Sequence, residues 1–157
     1  MSINNQSVTI QNLEAALAGE SMAHIKYRYF ARICREMGDE ETATIFEATA
    51  QQEVHHALGH MGLLYPKEKM TPKKCLELAI EGETYEYTEM YPTFRHLAEQ
   101  EGHSAAVAEF SGQIDESKEH AEFFRKTLEM AAKRFAALTK VEKHHAMRYQ
   151  NVLKALV

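Results

Sequence analysis

Buried-type positions recur at alternating steps of three and four along most of the chain, which is the period of a helix that buries one stripe in a bundle. The chain therefore reads as all-α. A first helix starts near Thr9 as N-cap, carries Leu13, Leu17, Glu20, His24, Tyr27, Ala31 and Cys34 on its stripe, and stops at Gly38. A second, capped by Asp39 and closed by Pro66, carries Thr42, Phe46, Thr49, Glu53, His56, His60 and Leu63. A third opens at Thr71-Pro72 and carries Leu76, Ile80, Glu83, Tyr87, Met90, Phe94 and Leu97, with Pro92 expected to kink it. A fourth is expected from about Gln113 to the C-terminus. Its stripe is Ile114, Ser117, Ala121, Phe124, Leu128, Ala131, Phe135, Leu138, Glu142, His145, Tyr149, Val152 and Leu156.

Charged and imidazole side chains stand in those stripes where apolar residues belong. They are Glu20, Glu53, His56, Glu83, Glu142 and His145, with Glu86 beside the third stripe one turn after Glu83. Two of them form Glu-x-x-His pairs, Glu53–His56 and Glu142–His145, each beginning seven residues after a phenylalanine, Phe46 or Phe135. Positions three apart share a helix face. One Glu from each of two helices and a Glu-x-x-His from each of two others is the ligand arrangement of di-iron carboxylate bundles. Four carboxylates neutralise two divalent cations; without metal they would repel one another in a core and be costly to desolvate. Manganese or zinc suit the same donors as iron. His24, His60, His96 and His144 lack such support and read as packing, second-layer or surface residues. Tyr27, Tyr87 and Tyr91 read first as core volume, with Tyr27 and Tyr91 also able to donate a hydrogen bond to an oxygen species.

The fourth helix leaves a choice. A turn at Glu101-Gly102-His103 brings Ser117 and His120, with Glu116 beside them, to the level of Glu83. A turn at Ser111-Gly112 brings Glu142 and His145 there instead. The second makes the arms equal, since Gly112 is 29 residues after Glu83 and Glu142 comes 30 residues later, and it is the expected one. It lengthens each arm of the third–fourth (C–D) hairpin by about 10 residues, roughly 15 Å. The apolar residues of that extra length, Ala121, Phe124 and Leu128, call for a partner subunit, so a homodimer is expected.

The rest of the composition narrows the class. A single domain over residues 1–157 is the expectation for this length. Lysine and arginine number 18 against 23 aspartates and glutamates, with no basic stripe, which argues against a nucleic-acid partner. Cys34 and Cys75 belong to no Cys-x-x-Cys pair, which suits a reducing compartment and excludes a thiolate knuckle. The first residues lack a signal-peptide pattern and no run reaches the length of a membrane span. A cytoplasmic protein is expected.

Three stretches carry a resemblance to a known family: Ala-Leu-Ala-Gly-Glu-Ser-Met-Ala at 16–23, Phe-Glu-Ala-Thr-Ala at 46–50 and Gly-Glu-Thr-Tyr-Glu-Tyr-Thr-Glu-Met-Tyr-Pro at 82–92. They are similar to the rubrerythrins, and the likeness covers essentially residues 9–157. It implies a ferritin-like four-helix bundle with a non-haem di-iron centre that reduces hydrogen peroxide to water. Carried over by position, the ligands would be Glu20, Glu53, His56, Glu83, Glu86, Glu142 and His145. Glu86 and His56 resemble the pair that exchanges at one iron with redox state, and Tyr27 and Tyr91 match tyrosines near the centre. Two departures stand out. The rubredoxin domain of the family, with its paired Cys-x-x-Cys, is absent, so an external electron donor such as rubredoxin is implied. The region from about Phe110 to Phe135 looks like an insertion of about 25 residues and brings a further phenylalanine, Phe110, seven before Ser117.

The leading expectation is a di-iron peroxidase. The alternatives are a ferroxidase or iron-handling protein that uses oxygen, and a non-catalytic helical dimer with a structural metal.

Overall fold

A computed structural model describes residues 7–155, and within α5 the side chains at 135–137, 139, 140, 149, 150 and 152–155 lie outside the described set. The expected stripe residues Phe135, Tyr149 and Val152 fall among these, and Leu156 lies beyond the described residues. The described residues are helical apart from short turns. They comprise α1 (Val8–Glu36), α2 (Glu40–Leu64), a short 3₁₀ turn (Lys67–Lys69), α3 (Pro72–Tyr85), a π-helical turn (Glu86–Met90), α4 (Tyr91–Glu101) and α5 (Ser104–Ala155). No described helix is long and apolar enough to cross a membrane. The chain groups into two compact units, Met1–Met70 and Thr71–Val157, each a helical hairpin.

In the first hairpin the start is set by Ser7 rather than Thr9: the Ser7 hydroxyl accepts from the Ile10 amide at 3.3 Å. Gly38 makes the turn at φ +85°, and Asp39 accepts from the Thr42 amide at 3.0 Å to start α2. Ala31, Ala43 and Ala50 are almost wholly buried; small side chains at the contact let the two helices approach closely. The expected stripe of α1 is the less exposed face throughout. On the far side of the turn, Arg35 donates to both oxygens of Glu40 and both of Glu47, at 2.9–3.2 Å.

In the second hairpin Thr71 caps α3 through the Lys74 amide at 3.1 Å, with Pro72 in the first turn. The kink expected at Pro92 takes the form of the π-turn. Proline has no N–H and its ring opposes the carbonyl four residues back, and the turn before it widens so that the Tyr91 amide reaches the Glu86 carbonyl. The extra residue advances the helix phase by one. The inner face of α4 is consequently Tyr91, Arg95 and Ala98, while the expected Phe94 and Leu97 are 44% and 49% exposed.

The turn between the third and fourth helices is at Gly102, not at Ser111-Gly112. Gly102 has φ +76°, and the His103 amide returns to the Ala98 carbonyl at 2.9 Å. Gly112 stays helical, and the Ser111 hydroxyl is turned back onto the Val107 carbonyl at 2.7 Å. Equal arms are not a physical requirement, whereas a left-handed glycine that closes a helix end is. α5 thus begins nine residues before Gln113, at Ser104, and its segment up to Ala131 packs in the hairpin, with Ser117 3% exposed and Ala121 wholly buried.

Candidate metal centre

On the α1–α2 hairpin, Glu20, Glu53 and His56 come together. One ligand atom from each lies within 4.8 Å of the others. The His56 Nδ1 is 2.9 Å from a Glu53 oxygen and 4.0 Å from a Glu20 oxygen. Glu53 is the most enclosed, with its side chain 14% exposed, and His56 the least, at 58%. The i,i+3 spacing of Glu53 and His56 and the antiparallel register fixed by Gly38 account for the meeting. His24, on the same stripe of α1, donates from Nδ1 to the Ala50 carbonyl at 2.8 Å; because a carbonyl can only accept, this fixes its tautomer and makes His24 a brace between the helices. Tyr27 lies against Phe46, with ring centroids 5.9 Å apart.

The α3–α5 hairpin carries a second polar group. His120 Nδ1 is 3.5 Å from Glu83 Oε1. The other Glu83 oxygen is buried and has no hydrogen-bond partner among the described residues. Ser117 donates its hydroxyl to Glu86 Oε2 at 2.9 Å, and the π-turn starts at Glu86 itself. Tyr91 holds its proton more tightly than an ordinary phenol, first because it is desolvated and then because Glu86, Glu83 and Glu109 are near. It packs on Phe110, 6.1 Å between centroids. One brace was not foreseen: Arg125 Nη2 donates to Thr84 Oγ1 at 2.9 Å. No stripe rule singles out an arginine one residue off the contact face.

The expected Glu142 and His145 are not brought to Glu83 in this hairpin. With the turn at Gly102 the level of Glu83 is filled by Ser117 and His120, and Glu142 and His145 are exposed farther along α5. Glu116, their former rival, is also exposed.

The donors suit a hard or borderline divalent cation, since they are carboxylates with imidazole. Three convergent ligand atoms on the first hairpin could hold a metal ion, and on the second hairpin a buried Glu83 oxygen is without a hydrogen-bond partner among the described residues.

Comparison with known proteins agrees. Residues 11–128 match the family described as Rubrerythrin. The chain is 37% identical over 126 residues to nigerythrin of Nitratidesulfovibrio vulgaris, covering 73% of this chain and 62% of that protein, so it spans less than two thirds of nigerythrin's length. It is 30% identical over 170 residues to a putative rubrerythrin of Methanocaldococcus jannaschii, covering 96% of this chain and 71% of the relative. Among solved structures, fully reduced, all-ferrous nigerythrin aligns at 34% identity over 82% of this chain and 71% of that one, with a TM-score of 0.39. The family match includes the window from Ser117 to His120 and ends before Glu142. The chain belongs to the rubrerythrin family of di-iron proteins.

Proposed function

We propose that this chain is a di-iron peroxidase that reduces hydrogen peroxide to two waters, taking up two electrons and two protons per turnover from outside. The convergence of Glu20, Glu53 and His56 within 4.8 Å is the observation that carries the reading. Glu83 and Glu86, on the second hairpin, are the further carboxylates this reading assigns as ligands, and the fourth helix supplies the rest. Iron would supply the electrons and the Lewis acidity at the oxygen–oxygen bond. The carboxylates hold the charge in place. Tyr91, kept protonated by burial and by Glu86 and Glu83, is assigned as a hydrogen-bond donor to peroxide oxygen, and Tyr27 is assigned the same role. An external donor protein, rubredoxin-like in function, returns the electrons. The free thiols of Cys34 and Cys75 fit a reducing cytoplasm, and one domain over the whole chain, working as a dimer, is the unit we infer.

Stopped-flow oxidation of the ferrous protein tests this. Peroxide should react faster than oxygen. The reverse order would support the ferroxidase alternative instead.

A further inference from the structure

Two contacts fix the register of α3 against α5. Glu83 lies 3.5 Å from His120, and Glu86 accepts from Ser117 at 2.9 Å. By that register position 119 stands opposite Thr84. Arg125, which donates to the Thr84 hydroxyl at 2.9 Å, sits six residues farther along α5, about 9 Å along the axis. Side chains lean towards the N-terminus of their own helix. In an antiparallel pair that lean turns Arg125 and Thr84 towards each other, and the length of the arginine spans the offset.

The acceptor is not the one that charge alone would select. Glu83 and Glu86 stand on either side of Thr84 in the chain. A guanidinium binds a carboxylate more strongly than a hydroxyl, commonly through two parallel bonds. Arg125 is nevertheless bonded to the neutral hydroxyl, in a part-buried contact. A carboxylate clamped by arginine would be lost to a metal ion, whereas a hydroxyl between the two carboxylates can be held without engaging either.

Thr84 is also held at its other end. Its carbonyl accepts from the Thr88 hydroxyl at 2.7 Å, and Thr88 lies inside the π-turn that opens at Glu86. The segment that carries both carboxylates is thus tied to α5 on one side and to the π-turn on the other. Each residue of a helix turns by about 100°, so fixing Thr84 fixes the rotation of Glu83 and Glu86 with it.

We propose that Arg125 is a positioning residue for the metal centre: through Thr84 it sets the aim of Glu83 and Glu86 while leaving both carboxylates free for a cation. The proposal rests on the di-iron reading and adds to it a residue that touches neither metal nor ligand.

A double-mutant cycle in metal affinity tests it. Arg125→Met and Thr84→Val should each weaken cobalt(II) binding about tenfold in competition with a chelator, as removal of a group that orients a ligand does. The double variant should lose no more than either single one, because the two residues act through one bond. Thr84→Ser, which keeps the hydroxyl, should bind like the wild type. Urea unfolding of the metal-free chains separates aim from strength. A brace that only holds the hairpin together would lower the unfolding midpoint and leave the affinity of the folded chains unchanged, and that result overturns the proposal. Losses that multiply to about a hundredfold in the double variant overturn it as well. Should Arg125→Met not fold, Thr84→Val against Thr84→Ser carries the same comparison. Glu83→Ala checks the reading beneath. If it binds cobalt(II) as tightly as the wild type, the assignment of Glu83 as a ligand and the proposal fall together. If it weakens binding and Arg125→Met does not, the proposal falls alone.

Discussion

The Ser117 hydroxyl donates to Glu86 across the α3–α5 hairpin at 2.9 Å, at the level where a Glu-x-x-His pattern would set a second carboxylate. The hairpin gains a fixed orientation for Glu86 and avoids one like-charge contact. Ser117→Ala should destabilise the metal-free protein by about 1–3 kcal/mol, the usual cost of removing a hydrogen bond to a charged partner, read from urea unfolding. Ser117→Glu should destabilise the metal-free protein as well, by repulsion from Glu86, and added iron should recover more stability in this variant than in Ser117→Ala. Equal recovery in the two would mean that position 117 does not face the metal.

Glycine substitutions report the turn. A Cβ on Gly102 would meet nothing within 4 Å, so the cost of Gly102→Ala is the left-handed backbone alone, about 1–2 kcal/mol. Gly112 is equally open but helical, and Gly112→Ala should stabilise by up to about 1 kcal/mol. Thermal melts of the two variants should move in opposite directions; reversed signs would return the turn to Gly112.

Acid should loosen the first hairpin. Asp39 is held below the ordinary carboxylate range by the Thr42 amide, and Glu40 and Glu47 by hydrogen bonds to Arg35. Groups depressed in the folded state add stability that is fully present above their unfolded pKa and is lost as pH falls through the folded value. Circular-dichroism melts should therefore be flat near neutrality and fall through the acidic carboxylate range. Arg35→Met should flatten that fall by removing the Glu40 and Glu47 contributions while leaving the Asp39 cap.

Loss of Glu53, the most enclosed of the three convergent groups, should be felt more than loss of His56. Glu53→Ala is expected to lower iron affinity at least tenfold and His56→Ala less, read by competition with a chelator. The opposite ranking would place the cation on the solvent side of the imidazole.

Much of this was legible in the sequence. The convergence of Glu20, Glu53 and His56 could be read because a helix has one period and the first hairpin has one plausible turn, at Gly38. The α4 face was missed because a π-turn changes the period locally, and nothing but Pro92 announces it. The α5 register was missed for a related reason: 25 residues are so close to a whole number of turns that the stripe passes through the repeat without a slip. Periodicity reports which side of a helix a residue occupies, not how far along it sits. Only the local chemistry of Gly102 fixed that, and the symmetry of arm lengths pointed elsewhere.

The π-turn at Glu86–Met90 also makes this short segment a ruler. Deleting one residue there would restore an ordinary helix and improve its local hydrogen bonding, yet it would rotate Tyr91, Arg95 and Ala98 by about 100° relative to Glu83. A change that heals the backbone would uncouple the tyrosine from the carboxylates it accompanies. Along this stretch the number of residues therefore matters more to the phase of α4 than their identity, and a single-residue deletion should displace Tyr91 where substitutions at Thr88 or Glu89 would not.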